Sequence, residues 1–353
     1  MKFLEDLCLA ASPSSNENEA IKVWDSYCYN LFDHFPEFPE EITHAYSDNL
    51  GNSVWSIGSG PLKILISAHI DTVCARVSKI TDKGTLMFTQ SAGICLKSLI
   101  SSDVLVCTDS PDVKIPGVVQ KVALHIDDDR KKVGDWGDYR INIGARGKKD
   151  VEKLGIYPGC VVMYRPEIRT DFGDGFIVGT GLDDKAGMWI VYDVLRKLAG
   201  EDLDAYTIYF GACTQEETGL NGAKRVAKNI NPDVSIDIDC TFADTELAGK
   251  EFKDLDINLG DGALIAYGPE KDASLNKILK EVAEEWKIGY KTYPTRAGGT
   301  NTKAFQDFAE NPRTTLLSYG LLGMHSSREI VMKKDLEACS ELLYRTIISG
   351  RLE

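Results

Sequence analysis

The chain has 353 residues, 43% of them apolar and 27% charged, which suits a globular protein with one large core or two domains of roughly 100–200 residues. Lys and Arg number 40 against 54 Asp and Glu, a formal charge of -14 that argues against a nucleic-acid partner, because phosphate binding rests on cationic side chains. No run of about 18 apolar residues marks a membrane span, and nine cysteines without a C-x-x-C pair point to reduced thiols, not to a disulfide framework or a thiolate zinc site.

Residues 1–32 read as two helices around the break SPSSNENE. Ser14 with Glu17, or Asn16 with Glu19, is positioned to cap the second, whose apolar face is Ile21, Trp24, Cys28 and Leu31. Glu5 and Asp6 interrupt the apolar N-terminus and spoil a signal-peptide core, so the expected location is the cytoplasm. DNLGNSVWSIG predicts a hairpin turn into a strand, and LKILISA, residues 62–68, a central strand covered on both faces.

From about Cys74 to Gly173 the pattern changes to short β-like runs such as GTLMFTQ, DVLVCT, PGVVQKVALHI and GCVVMYRPEI, separated by Gly, Asp, Pro and Ser. This reads as a small all-β domain inserted into another fold. Strand and helix then alternate. DDKAGMWIVYDVLRKLAG is a helix with Met188, Val191, Leu195 and Leu198 on one face, YTIYFGACT a strand, LNGAKRVAKNI a helix and DVSIDIDC a strand. DASLNKILKEVAEEWKI predicts a helix aligning Leu275, Ile278, Leu279, Val282 and Trp286, RTTLLSYG a strand, and KDLEACSELLYRTIISG a last helix stopping at Gly350.

Ligands of open α/β sheets gather outside the carboxyl ends of the strands. His69 and Asp71 follow the first such strand, Glu216 and Glu217 the second and Asp239 the third; His325 lies shortly after the fourth, and Asp183 begins a helix. Each has a structural explanation by itself: a hydrogen-bonded His-x-Asp pair, acids capping the helix after Asp183–Asp184, or Glu216–Glu217 opening the next helix. Asp239 within an apolar strand fits that reading poorly, because a buried carboxylate without a partner is costly. Two histidines and three carboxylates together are the donors needed for two divalent ions sharing one bridging carboxylate. The other histidines, His34, His44 and His125, lie in no comparable setting.

In order and context, AHIDTV, GTGLDDKAG, QEETGLNGA, IDIDCTFAD and GMHSSRE resemble the dinuclear-metal aminopeptidases of the glutamyl-aminopeptidase and tetrahedral (dodecameric) aminopeptidase family. The resemblance spans essentially the whole chain. It implies an α/β fold: a mixed-sheet metallopeptidase domain, a sandwich of the phosphorylase/hydrolase-like kind, from residues 1–73 and 174–353, with a small PDZ-like β-barrel domain inserted at 74–173. It implies two divalent ions per subunit, zinc foremost, with cobalt and manganese as alternatives. Asp183 is then the bridging ligand, His69 and Asp239 complete one site, and Glu217 and His325 the other. Asp71 is expected to accept from the free imidazole nitrogen of His69, and Glu216 to be general base and acid toward a water bridged by both ions. The implied activity is hydrolysis of N-terminal residues from peptides by a homo-oligomer, a dodecamer in many relatives, with peptide partners and neither nucleic acid nor membrane.

The chain departs from the family pattern at Thr72–Val73, where an acidic residue followed by Ile-Gly is common, at Lys185, where Arg is common, and at Asn301, where AGGT usually continues with Asp. None is a proposed ligand; they bear on the pocket wall and on specificity. Two further readings stand beside the aminopeptidase. One is a di-metal deacylase, carboxypeptidase or tripeptidase, whose second domain usually falls between the paired glutamates and the last histidine; here the β insert lies between His69 and Asp183. The other is a catalytically silent binding protein on the same fold.

Overall fold

A computed structural model describes residues 1–34, 42–110, 113–127, 132–244, 255–296 and 299–353. Two helices, α1 (Lys2–Leu9) and α2 (Asn18–His34), open the chain and pack through Phe3, Leu7, Trp24 and Cys28. The expected capping pairs give way to other contacts: Glu17 accepts the Ser15 N–H at 2.7 Å, and Glu19 that of Ala11 at 3.2 Å. Strands β1 (Thr43–Ser47) and β2 (Ser53–Ile57) form the predicted hairpin, its turn held by Asp48, whose carboxylate accepts the Leu50 N–H at 2.8 Å. Strand β3 (Leu62–His69) follows.

Six strands then close an antiparallel barrel: β4 (Ala75–Ile80), β5 (Leu86–Gln90), β6 (Asp103–Cys107), β7 (Lys114–Gln120), β8 (Arg140–Asn142) and β9 (Val161–Tyr164), in the spatial order β4-β5-β8-β7-β6-β9. Side chains alternate across each strand, so Val104 and Val106 of β6 point into a core with Val77, Phe88, Val119, Ile141 and Val162. Short helices α3 (Leu96–Leu99) and α4 (Lys148–Lys153) lie between these strands.

The insert read from the sequence runs to residue 173, but the barrel strands end at Tyr164. Strand β10 (Ile168–Phe172) turns back through Gly173 and Gly175, both at positive φ, onto β11 (Phe176–Gly179). It therefore belongs to a three-stranded sheet completed by β17 (Glu329–Met332), outside the barrel.

The main sheet has eight strands in the order β1-β2-β12-β3-β13-β16-β14-β15, adding β12 (Tyr206–Cys213), β13 (Val234–Phe242), β14 (Ala263–Tyr267), β15 (Tyr290–Pro294) and β16 (Arg313–Leu321). Strands β12, β3, β13 and β16 are mutually parallel at its centre. Helices α5 (Leu182–Leu198), α7 (Ala273–Trp286) and α9 (Lys333–Ile348), with α1 and α2, bury Met188, Val191, Leu195, Leu336 and Leu343 on one face. Helices α6 (Asn221–Ile230) and α8 (Asn301–Phe308) cover the other through Val226 and Phe305. Strand β3 shows why its apolar run is continuous: Ile64 and Ile66 join the first core and Leu65 the second. Each such buried side chain contributes roughly 1.5–3 kcal/mol.

Trp286, aligned with the apolar face of α7 in sequence, stands 47% exposed at the helix end, where the Arg345 guanidinium lies 3.9 Å above its ring. All nine cysteines are free thiols. Among the described residues no helix is long and apolar enough to cross a membrane.

Candidate metal centre

The four parallel strands lie side by side; β3 and β12 end together, and β13 and β16 run three residues beyond that level, to Phe242 and Leu321. Cys213 of β12 is opposite His69 of β3, and Asp239 of β13 is opposite Ser318 of β16. His69 ends β3; Glu216 and Glu217 lie in the turn after β12, before α6 begins at Asn221; His325 sits in the loop after β16. Asp183 and Asp184 occupy the start of α5 with non-helical backbone angles, while Gly181 takes the cap position. Neither the Asp183–Asp184 pair nor the glutamates act as simple helix caps.

The fold brings all five expected metal donors together. His69 Nε2 lies 3.1 Å from Asp183 Oδ1, and His325 Nε2 lies 3.4 Å from Asp183 Oδ2, so Asp183 turns one oxygen to each histidine. His325 Nε2 is also 3.3 Å from Glu217 Oε1, in a buried carboxylate. Donor atoms of His69, Asp183 and Glu217 lie within 4.8 Å of one another, as do those of His69, Asp184 and Asp239. Oxygen and imidazole donors gathered this closely could hold a divalent metal ion.

The electrostatics lead to the same conclusion. Burial raises the pKa of Glu216 and Asp239 well above the usual range; His69 opposes this, but neighbouring carboxylates add to it. Burial also raises Glu217, against hydrogen bonding from His325. For Asp183 burial is outweighed by His325 and His69, which hold its pKa low. Burial works to lower the His325 pKa, yet Asp183 and Glu217 lift it to about 11. So many buried carboxylates around two imidazoles need protons or cations to coexist.

The surrounding residues fix these donors. The His69 N–H donates to Asp184 Oδ2 at 3.1 Å, and Tyr319 OH donates to Asp184 Oδ1 at 2.7 Å. Glu329 receives the N–H groups of Asp183 and His325, at 3.2 and 2.8 Å. His69 Nδ1 lies 3.1 Å from the backbone carbonyl of Asp71 and 3.5 Å from its carboxylate. The carboxylate is engaged more closely by the backbone of Glu216 and, through a hydroxyl, by Ser14. His325 Nδ1 lies 2.7 Å from the carbonyl of Gly93, a residue of the loop after β5. A Cβ at Gly93 would come within 2.6 Å of the His325 ring.

Sequence reasoning took Asp184 only as a helix-capping acid and passed over Glu329 and Gly93. The two acids stand inside quoted motifs and carry a signal as charged residues beside apolar elements; Gly93 carries none. Of the departures, Asn301 is buried at the start of α8 and hydrogen-bonds Asp237, and Thr72 pairs with Pro13. His44 meets Ser53 at 3.2 Å, away from the centre. A cleft of about 550 Å³ opens over His69, Asp183, Glu216, Glu217, Asp239 and His325, walled by Phe242, Leu316 and Met324, with Lys271.

A family model described as M42 glutamyl aminopeptidase matches residues 51–342. A lysyl aminopeptidase of Pyrococcus furiosus is 27% identical over 295 residues, covering 82% of each chain. An aminopeptidase from the archaeon Desulfurococcus kamchatkensis superposes with a TM-score of 0.88 at 25% identity, over 99% of this chain and 94% of that one. The Pyrococcus horikoshii TET1 peptidase, which can assemble into a tetrahedron or a large octahedral shell, superposes with a TM-score of 0.79 at 25% identity over 98% of both chains.

Proposed function

The chain belongs to the M42 glutamyl aminopeptidase family, and on that premise we propose that it removes N-terminal residues from peptides at a centre holding two divalent ions. In this reading Asp183 would be shared by the two ions, with His69 and Asp239 holding one and Glu217 and His325 the other. The observation that carries it is Asp183, with one oxygen 3.1 Å from His69 and the other 3.4 Å from His325, which also lies 3.3 Å from Glu217 Oε1. Zinc, cobalt and manganese all suit such imidazole and carboxylate donors.

Divalent ions bound there supply Lewis acidity, which acidifies water and polarises a peptide carbonyl. Glu216 lines the cleft beside the donors without pairing to either histidine at the distances above. Its carboxylate takes the proton of the attacking water and delivers it to the leaving amine. Asp71 contributes by holding the Glu216 backbone at 2.9 Å. Phe242, Leu316 and Met324 form the apolar wall that receives the N-terminal side chain and keeps bulk water out. A homo-oligomer, of the kind formed by the Pyrococcus horikoshii relative, would restrict these clefts to short or unfolded peptides.

Glu216→Gln tests the assignment. We expect kcat on aminoacyl chromogenic substrates to fall by about 10²–10⁴-fold, with metal content by elemental analysis unchanged. Parental kcat with both ions bound would remove Glu216 from the base role. Acetylating the substrate amine should abolish turnover, and continued cleavage would favour a deacylase.

A further inference from the structure

Four consecutive backbone N–H groups lead into and through the paired glutamates, and side-chain oxygens from three separate segments receive them. Asn52 Oδ1 accepts from Thr214 at 2.9 Å, and Glu17 Oε1 from Gln215 at 3.3 Å. The two oxygens of Asp71 accept from Glu216 at 2.9 Å and from Glu217 at 3.2 Å. Ser14 Oγ closes the set by donating to Asp71 Oδ2.

The backbone explains what this accomplishes. Gln215 stands at φ 55, in the left-handed region that side chains other than glycine disfavour. Ser15, whose N–H shares the same Glu17 oxygen at 2.7 Å, stands at φ 75. A single carboxylate oxygen therefore ties two strained turns together, one in the loop before α2 and one just ahead of Glu216. Relaxing Gln215 to an ordinary negative φ would rotate the following peptide and swing both glutamates away from the donors around Asp183. Glu17 is only 4% exposed and Ser14 1%, so water does not compete for these contacts.

We propose that Glu17, assisted by Ser14, is a positioning residue that locks the Gln215 turn, aiming Glu216 at the attacking water and Glu217 at the His325 side of the centre. This rests on the reading of Glu216 as the base and Glu217 as a ligand. A misplacement of about 1 Å can cost on the order of 10²-fold in rate, so the clamp acts on kcat more than on substrate binding. Burial and the neighbouring Asp71 push the Glu17 carboxyl up to about 8. A neutral amide of the same length therefore reproduces the acceptor.

The test compares Glu17→Gln, Glu17→Leu and Ser14→Ala in the full-length, metal-loaded enzyme, reading kcat, KM, metal content and melting temperature together. Glu17→Gln should keep kcat within about threefold of the parent. Glu17→Leu should lose at least about tenfold in kcat, with KM and both ions retained. Ser14→Ala should lose about threefold with an unchanged melting temperature, and it decides the matter if the Leu variant does not fold. Parental kcat in Glu17→Leu, an equal loss in Glu17→Gln, or parental kcat in Ser14→Ala where the Leu variant is unfolded would overturn the proposal. Glu216→Gln assayed in parallel separates the two readings: full activity there removes the base assignment, whatever the Glu17 series shows.

Discussion

His69 and His325 face the same Asp183 carboxylate, yet the fold holds them in opposite ways. His69 ends a central strand with its side chain 2% exposed, its N–H donated to Asp184 and its Nδ1 against the Asp71 carbonyl. Everything that orients it belongs to the α/β sandwich. His325 sits in a loop at φ 63 with its side chain 30% exposed. Its Nδ1 meets the Gly93 carbonyl, and its own carbonyl receives the Cys95 N–H at 3.1 Å, both from the loop between β5 and α3. The sandwich alone orients His69; His325 is held by the barrel loop together with Glu329 of β17. On the proposed assignment of His325 as a ligand, the barrel loop helps to orient it, and such groups matter nearly as much as the ligands themselves.

The widest expected separation is between His69→Ala and His325→Ala. Both should lose at least about 10³-fold in kcat as ligands. Both changes remove a partner of Asp183, but the gap left by the 30% exposed His325 is open to water and that left by the 2% exposed His69 is not; His69→Ala should therefore cost the metal-free protein about 3 kcal/mol and His325→Ala about 1 kcal/mol. Denaturant unfolding in chelator measures this, and equal losses would erase the contrast. Next comes Gly93→Ala, whose Cβ would collide with the His325 ring. Its metal content should drop from two ions toward one, with kcat down about 10–100-fold. Two ions and parental kcat would show that the barrel loop does not hold His325.

A smaller effect sharpens the account of the sheet-built half. Asp237, two residues before Asp239, is fully buried and accepts from Ser67 at 2.9 Å. Burial pushes its pKa up to about 7 from 3.8. The folded state therefore binds this proton more tightly than the unfolded state, and stability falls as pH rises from about 4 to 7. Asp237→Asn keeps an acceptor for Ser67 and removes the charge. It should stabilise the protein at pH 8 by about 2 kcal/mol and flatten that slope. An unchanged slope would mean that another group carries it.

The sequence reading reached the sheet-built half more fully than the half held by the barrel loop, for a physical reason. The apolar run of β3 and the acids and histidines at strand ends are local signals, visible as breaks in hydrophobic pattern. Strands β14 and β15 escaped notice because β15 lies at the sheet edge, mixes Lys and Tyr, and ends in Pro294. Gly93 was illegible because its role depends on a residue 232 positions away. Asp71 was recognised as important, but its main work on the backbone of Glu216 and Glu217 emerges only when β3 and β12 pair.

The sheet order also bears on how the molecule comes into being. Strand β3 lies between β12 and β13, and Ser67 and Asp237, bonded across that seam, are 170 residues apart in the chain. Such long-range pairings form slowly, whereas the barrel closes within its own segment. The full set of donors exists only once β16 has joined the sheet and the barrel loop has settled on His325. A chain that mispairs early assembles fewer donors and retains less metal, so metal occupancy in a purified sample doubles as a count of molecules that finished folding.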